Sequence, residues 1–172
     1  MKFDLYKKKY RWKFSADFPG ATLAEQFVKI DERPTLHIVE KENSDGSFRI
    51  EKQSWAPLVT TFYDPGTTGP QELKCDLTGL YTLLAGFYDF GACLFKTDDP
   101  SEKLEEIKDR LGTGKITMYD GETPIEIWEL RGLWPHSVNF GDLCYSSSDE
   151  TEIEITWRFK ECSYHNLLTP AK

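Results

Sequence analysis

Four cysteines, Cys75, Cys93, Cys144 and Cys162, and three histidines, His37, His136 and His165, are the residues best suited to nucleophilic or metal chemistry. A zinc site asks for paired ligands at short spacing. No two of these cysteines form a C-x-x-C pair, and no histidine stands at ligand spacing beside them. A Cys–His pair needs only to meet in space, yet no local signature marks one. Reduced, mostly buried thiols are the expectation. Acid pairs are plentiful, such as Glu126 with Glu129 and Glu152 with Glu154. A glycosidase dyad must flank a scissile bond, whereas acids alternating along a strand ordinarily form a solvated face. "GTGKIT" at 112–117 looks like the end of a phosphate loop. It lacks the upstream glycine spacing and follows a helical pattern, so Gly112 reads as a helix stop. Asp89-Phe90-Gly91 matches a kinase tripeptide without the other kinase elements. These residues point to no catalytic centre, no metal site and no cofactor.

The elements that would position them are mostly strands. "KKYRWKFSAD" alternates, with Tyr10, Trp12, Phe14 and Ala16 on one face and Lys9, Arg11, Lys13 and Ser15 on the other. Phe18-Pro19-Gly20 stops it. "EQFVKIDE" and "TLHIVEKE" are further strand candidates separated by Arg33-Pro34. Asp45-Gly46 is a hairpin signal, and "SFRIEKQ" and "WAPLVTTFYD" flank or follow it as strands. After the breaker "DPGTTGP" the period changes. Leu73, Leu77, Leu80, Tyr81, Leu84 and Phe87 trace one face of a helix. Asp99, Pro100 and Glu102 cap a second, with Leu104, Ile107 and Leu111 as its stripe. Strands resume with "KITMYD", the turn Asp120-Gly121 and "PIEIWELRG". In the final strand Ile153, Ile155, Trp157 and Phe159 oppose Glu152, Glu154, Thr156, Arg158 and Lys160. A one-residue slip would bury the charged row, so its register is fixed. The expected fold is α+β and mainly β: a two-sheet β-sandwich or half-barrel of seven or eight strands with one or two inserted helices. One domain spans 1–172, with a basic arm at 1–8, a helical insertion at 70–112 and a terminal tail at 164–172.

The chain has 172 residues, enough for one domain with a real core. Its longest apolar stretch, near Leu77 to Phe90, is interrupted by Thr78, Thr82 and Asp89, so no membrane anchor is expected. No apolar run follows the charged N-terminus, and no secretory signal is read there. The net charge of −8 argues against a general nucleic-acid binder. The charge is uneven: residues 1–13 hold six Lys or Arg and only Asp4. Such an arm suits nucleic acid or the acidic body of a neighbouring copy; a solvated, mobile end is the alternative. Five tryptophans and eight tyrosines also suit a carbohydrate-binding sandwich, although strand aromatics ordinarily pack in cores.

The segment "WELRGLWPHSVNFGDLCYSSSDETEIEITWRFKEC" resembles the C-terminal signature of the tail tube proteins of contractile-tailed bacteriophages. The resemblance rests on a strand ending at a Gly-x-Trp-Pro corner, a Gly-Asp-Leu and aromatic-x-Ser turn, and an acidic alternating closing strand. The positions that carry it are Gly132, Trp134, Pro135, Gly141, Asp142, Leu143 and Tyr145, with Trp128, Leu130, Val138, Ser147, Ile153, Ile155 and Trp157 around them. It covers about 35 of 172 residues. It departs from the usual pattern in the long region 64–114, in Cys144 and in the ending "FKECSYH". The resemblance implies hexameric rings that share an inner β-barrel and stack into a conduit for DNA, with no catalysis. DNA would cross the lumen without specific binding. A tube initiator or terminator at the baseplate or neck is the alternative. Partners would be further copies and the sheath, baseplate and neck proteins, in a virion tail assembled in the host cytoplasm. Glu152 and Glu154 become candidate lumen acids, and Lys7, Lys8 and Lys9 candidate contacts to the next ring or sheath.

Overall fold

A computed structural model describes residues 7–24, 27–64 and 111–168. Its closing strand has the predicted alternation. In β9, Glu152–Arg158, Ile153, Ile155 and Trp157 are fully buried, while Glu152, Glu154 and Arg158 are exposed. The other strands among the described residues are β1 (Trp12–Phe18), β2 (Ala21–Ala24), β3 (Phe27–Ile30), β4 (Leu36–Glu42), β5 (Phe48–Trp55), β6 (Leu58–Tyr63), β7 (Gly112–Asp120), β8 (Thr123–Asn139) and β10 (Glu161–Asn166). There is no helix among the described residues. The expected helical insertion at 70–112 lies outside them, apart from Leu111 and Gly112.

Eight of these strands form one continuous antiparallel arrangement, seven in the order β2-β1-β7-β8-β9-β6-β3 and β10 added on β8. The pivot is β8, which is 17 residues long. Its first part lies between β7 and β10; from Trp134 onward it pairs with β9. One strand thus serves two sheets, and their inner faces meet over one core. Phe14 and Phe18 of β1 sit against Trp157 of β9, with ring centroids 6.2 and 5.8 Å apart. Phe27 of β3 closes on Phe14 at 4.8 Å. Leu23, Ile116, Leu130, Leu133 and Phe62 fill the rest. The expected two-sheet packing is therefore present; among the described residues it is built from strands, and these sheets do not close on themselves.

Several local expectations change. The Gly-x-Trp-Pro corner does not end a strand, because β8 runs through it and bends from one sheet to the other. Gly112 does not stop a helix; it begins β7. A Cβ there would lie 2.3 Å from the Asp17 carbonyl oxygen and within the Phe18 ring, so close strand contact selects glycine. Tyr10 leaves the alternating row and lies in a turn, 72% exposed. Tyr164, His165 and Asn166, counted above with the tail, belong to β10. The hairpin read at Asp45-Gly46 is present as β4–β5 and forms a separate two-stranded sheet.

Candidate functional site

The motif residues divide into a buried corner and an exposed turn. At the corner, Gly132 has φ +64, which lets β8 bend while Leu133 and Pro135 stay buried. Trp134 is half-buried opposite Arg158. The register shifts between Pro135 and Ser137, where proline has no N–H to donate. At the turn, the Gly141 N–H donates to Asn139 Oδ1 at 2.9 Å. Gly141 has φ +88, and a Cβ on it would lie 2.5 Å from the Glu152 carbonyl oxygen. Gly141→Ala should therefore cost about 1–3 kcal/mol, the range for strained backbone. The cost is read as a lower denaturant midpoint; a midpoint matching the native chain would remove the steric reading of this motif glycine. Beyond it Asp142 is exposed, and Leu143 and Tyr145 project fully into solvent.

The candidate lumen acids Glu152 and Glu154 lie on an outward sheet face. Thr61 of β6 stands opposite Glu154, and Lys29 of β3 stands opposite Thr61. This face carries bases as well as acids. The sequence-matched acid pairs separate accordingly: Glu152 and Glu154 share a face, while Glu126 and Glu129 lie on opposite faces of β8.

The basic arm is less free than its sequence suggests. Lys7 forms an ion pair with Glu126, while Lys8 and Lys9 remain exposed. The Arg11 N–H donates to the Lys8 carbonyl at 3.3 Å, closing a turn with Lys9 and Tyr10 at its tip. Arg11 binds Asp120 at 2.6 Å, and the Tyr119 N–H donates to the Arg11 carbonyl. The turn is therefore pinned on both sides.

Glu126 was missed as a positioning residue. Its side chain is 0% exposed, and its carboxylate accepts from Lys7 Nζ, from Trp128 Nε1 at 2.6 Å and from Arg33 Nη1 at 3.0 Å. Burial pushes its pKa up; the bonds from Lys7, Trp128 and Arg33, with the Lys7 charge, more than reverse this and hold it below the ordinary value. The signal in the sequence was its strand position, on the same face as Trp128 and Leu130. Its two cationic partners, Lys7 and Arg33, are 119 and 93 residues away.

The nucleophile candidates are placed differently. Cys162 is half-buried, and burial pushes its thiol up to about 11, opposite to activation. Cys144 lies exposed in the turn, where Ser146 hydrogen bonds hold its thiol below the ordinary value. His37 is on the β4–β5 hairpin, His136 on β8, and His165 on β10 at 3.6 Å from Glu129. Cys75 and Cys93 lie outside the described residues. Among the described residues no group of three or more His, Cys, Asp or Glu could hold a metal.

No family model and no curated protein matches the sequence. The fold is nevertheless one found in contractile injection systems. A chain of the six-fold-symmetrised anti-feeding prophage baseplate superimposes with TM-score 0.62 at 14% identity, covering 96% of this chain and 99% of that one. A chain of the PVC sheath–tube complex, from an extracellular contractile injection system in its extended state, gives 0.56 at 12%, covering 95% and 94%. A chain of the anti-feeding prophage tube-terminating cap gives 0.55 at 10%, covering 96% and 95%.

Proposed function

We propose that this protein is a structural subunit of the tube of a contractile tail or injection system, assembling with further copies into stacked hexameric rings. The observation that carries this reading is a fold likeness spanning nearly the whole of both chains, with one neighbour drawn from a six-fold assembly. The role is mechanical and not catalytic. Sheath, baseplate and neck proteins are its other partners. In a phage tail its lumen passes DNA, and Glu152 and Glu154 line that lumen, where acids repel phosphates and leave the nucleic acid free to slide. A ring next to the baseplate is the second reading of its position, favoured by the higher TM-score to the baseplate chain. Trp157 is fully buried and the other four tryptophans are half-buried, so the carbohydrate-binding alternative rests on the exposed tyrosines Tyr10, Tyr63, Tyr145 and Tyr164.

Electron microscopy of the purified chain at rising concentration tests the proposal. Six-fold rings or short tubes are expected. Monomers at every concentration, together with absence of the chain from tube-bearing particles, would refute it.

A further inference from the structure

The β4–β5 hairpin is exposed along almost its whole length. Asn43 to Ser47 closes it firmly: the Asn43 N–H donates to the Ser47 carbonyl at 2.7 Å, and the Gly46 N–H to the Asn43 carbonyl at 3.0 Å. The register bulges between Val39 and Glu40, with Lys52 and Ile50 as the flanking partners. Strand alternation then sorts the side chains. One face carries Leu36, Ile38, Ile50 and Phe48 with Glu40 and Glu42; the other carries Val39 with His37, Lys41, Arg49 and Lys52. The first face is apolar and acidic. Ile50 is 56% and Phe48 66% exposed. A lone two-stranded hairpin is marginal in water, so this face has reason to be covered.

The pinned turn at Lys8–Arg11 has the opposite character. Lys8 and Lys9 are exposed beside Tyr10, so the turn is basic and aromatic. We infer that the apolar, acidic face of the hairpin docks on the Lys8-Lys9-Tyr10 turn of a second copy of this chain. Glu40 and Glu42 meet the two lysines, and Phe48 and Ile50 meet Tyr10. The hairpin does not cover its own turn. Its seven-residue strand β4 carries the distal face about 20 Å from its root, while the turn is fixed to the body through Glu126 and Asp120. The contact is heterologous, hairpin to turn, and so repeats through successive copies. It deepens the tube reading and names one surface pair by which copies join.

A charge exchange tests it. E40K/E42K and K8E/K9E should each fold, by circular dichroism, and each assemble at least about tenfold less well than the native chain. Mixed in equal amounts, the two should assemble again, because each hairpin then meets an opposite turn. Carbodiimide treatment of the native chain should cross-link Lys8 or Lys9 to Glu40 or Glu42 between isotopically distinct copies. Full assembly of either variant alone, or no recovery on mixing, would overturn this contact and leave the tube proposal standing. Native monomers that lack the intermolecular cross-link at every concentration would overturn both. Native dimers or short chains with the cross-link but without rings would support the contact and overturn the tube.

Discussion

Trp157→Ala should destabilise the folded chain by roughly 3–5 kcal/mol, the usual range for removing a large buried aromatic. Trp157 is 0% exposed and touches both sheets. It stacks on Phe18, meets the edge of Phe14, and donates its Nε1–H to Thr60 Oγ1 at 2.8 Å. Thr60 is also 0% exposed, and its hydroxyl donates onward to the Ile155 carbonyl at 3.4 Å. Truncation would open a cavity between the sheets and remove one partner of a buried hydroxyl. Trp157→Phe should cost less, about 1–2 kcal/mol, since it keeps much of the packing and loses mainly the hydrogen bond. Chemical denaturation measures both. A Trp157→Ala midpoint near the native one would contradict the shared core across β1 and β9.

Glu126→Ala should cost about 2–3 kcal/mol, the upper range for hydrogen bonds to a charged group. The figure stays below that of a fully buried ion pair because Lys7 and Arg33 are 34% and 54% exposed and rehydrate when released. Glu126→Gln separates charge from shape, since it can still accept from Trp128. The pH dependence has a definite sign. The folded carboxyl titrates below its ordinary value of 4.5, so its stabilising effect is complete above about pH 5 and declines as acid protonates it. The stability gap between the native chain and Glu126→Gln should therefore be constant near neutrality and shrink as pH falls below 4.5 and through the folded pKa. A gap that stays constant down to pH 2.5, in denaturation curves at several pH values, would remove the ionised carboxylate as its source. The same variants should loosen the Lys8–Arg11 turn and the segment entering the hairpin, because Lys7 and Arg33 lead into these two elements.

Much of the fold follows from local pattern. The β9 row Ile153, Ile155, Trp157 reads directly, because alternation with charge allows only one face inward. Asp45-Gly46 and Asp120-Gly121 mark hairpin turns found in the structure. The motif glycines have physical causes in a bent strand at Gly132 and a backbone contact at Gly141. Other features depend on strand partners. Pro135 reads as a stop by its own chemistry, yet β8 continues because β9 takes over its pairing from β7 and β10. Gly112 follows a helical pattern in sequence, yet packing against Asp17 and Phe18 makes it the start of β7. "ECSYHN" has no strong alternation, and it becomes β10 through pairing with β8.

The sequence by itself determined a mainly β chain of alternating strands, the turns between several of them, and the charge contrast between the N-terminal arm and the rest. These are consequences of residue type and of spacing along one strand. The tertiary structure alone decided that Lys7 and Arg33 converge on Glu126, that the Lys8–Arg11 turn is pinned, and that one hairpin face is apolar and acidic. The first two depend on contacts between distant segments. The third depends on one bulged residue, which shifts the inward and outward order of every side chain beyond it. Local periodicity carries information about a strand's faces, but it does not specify which distant strand will meet them.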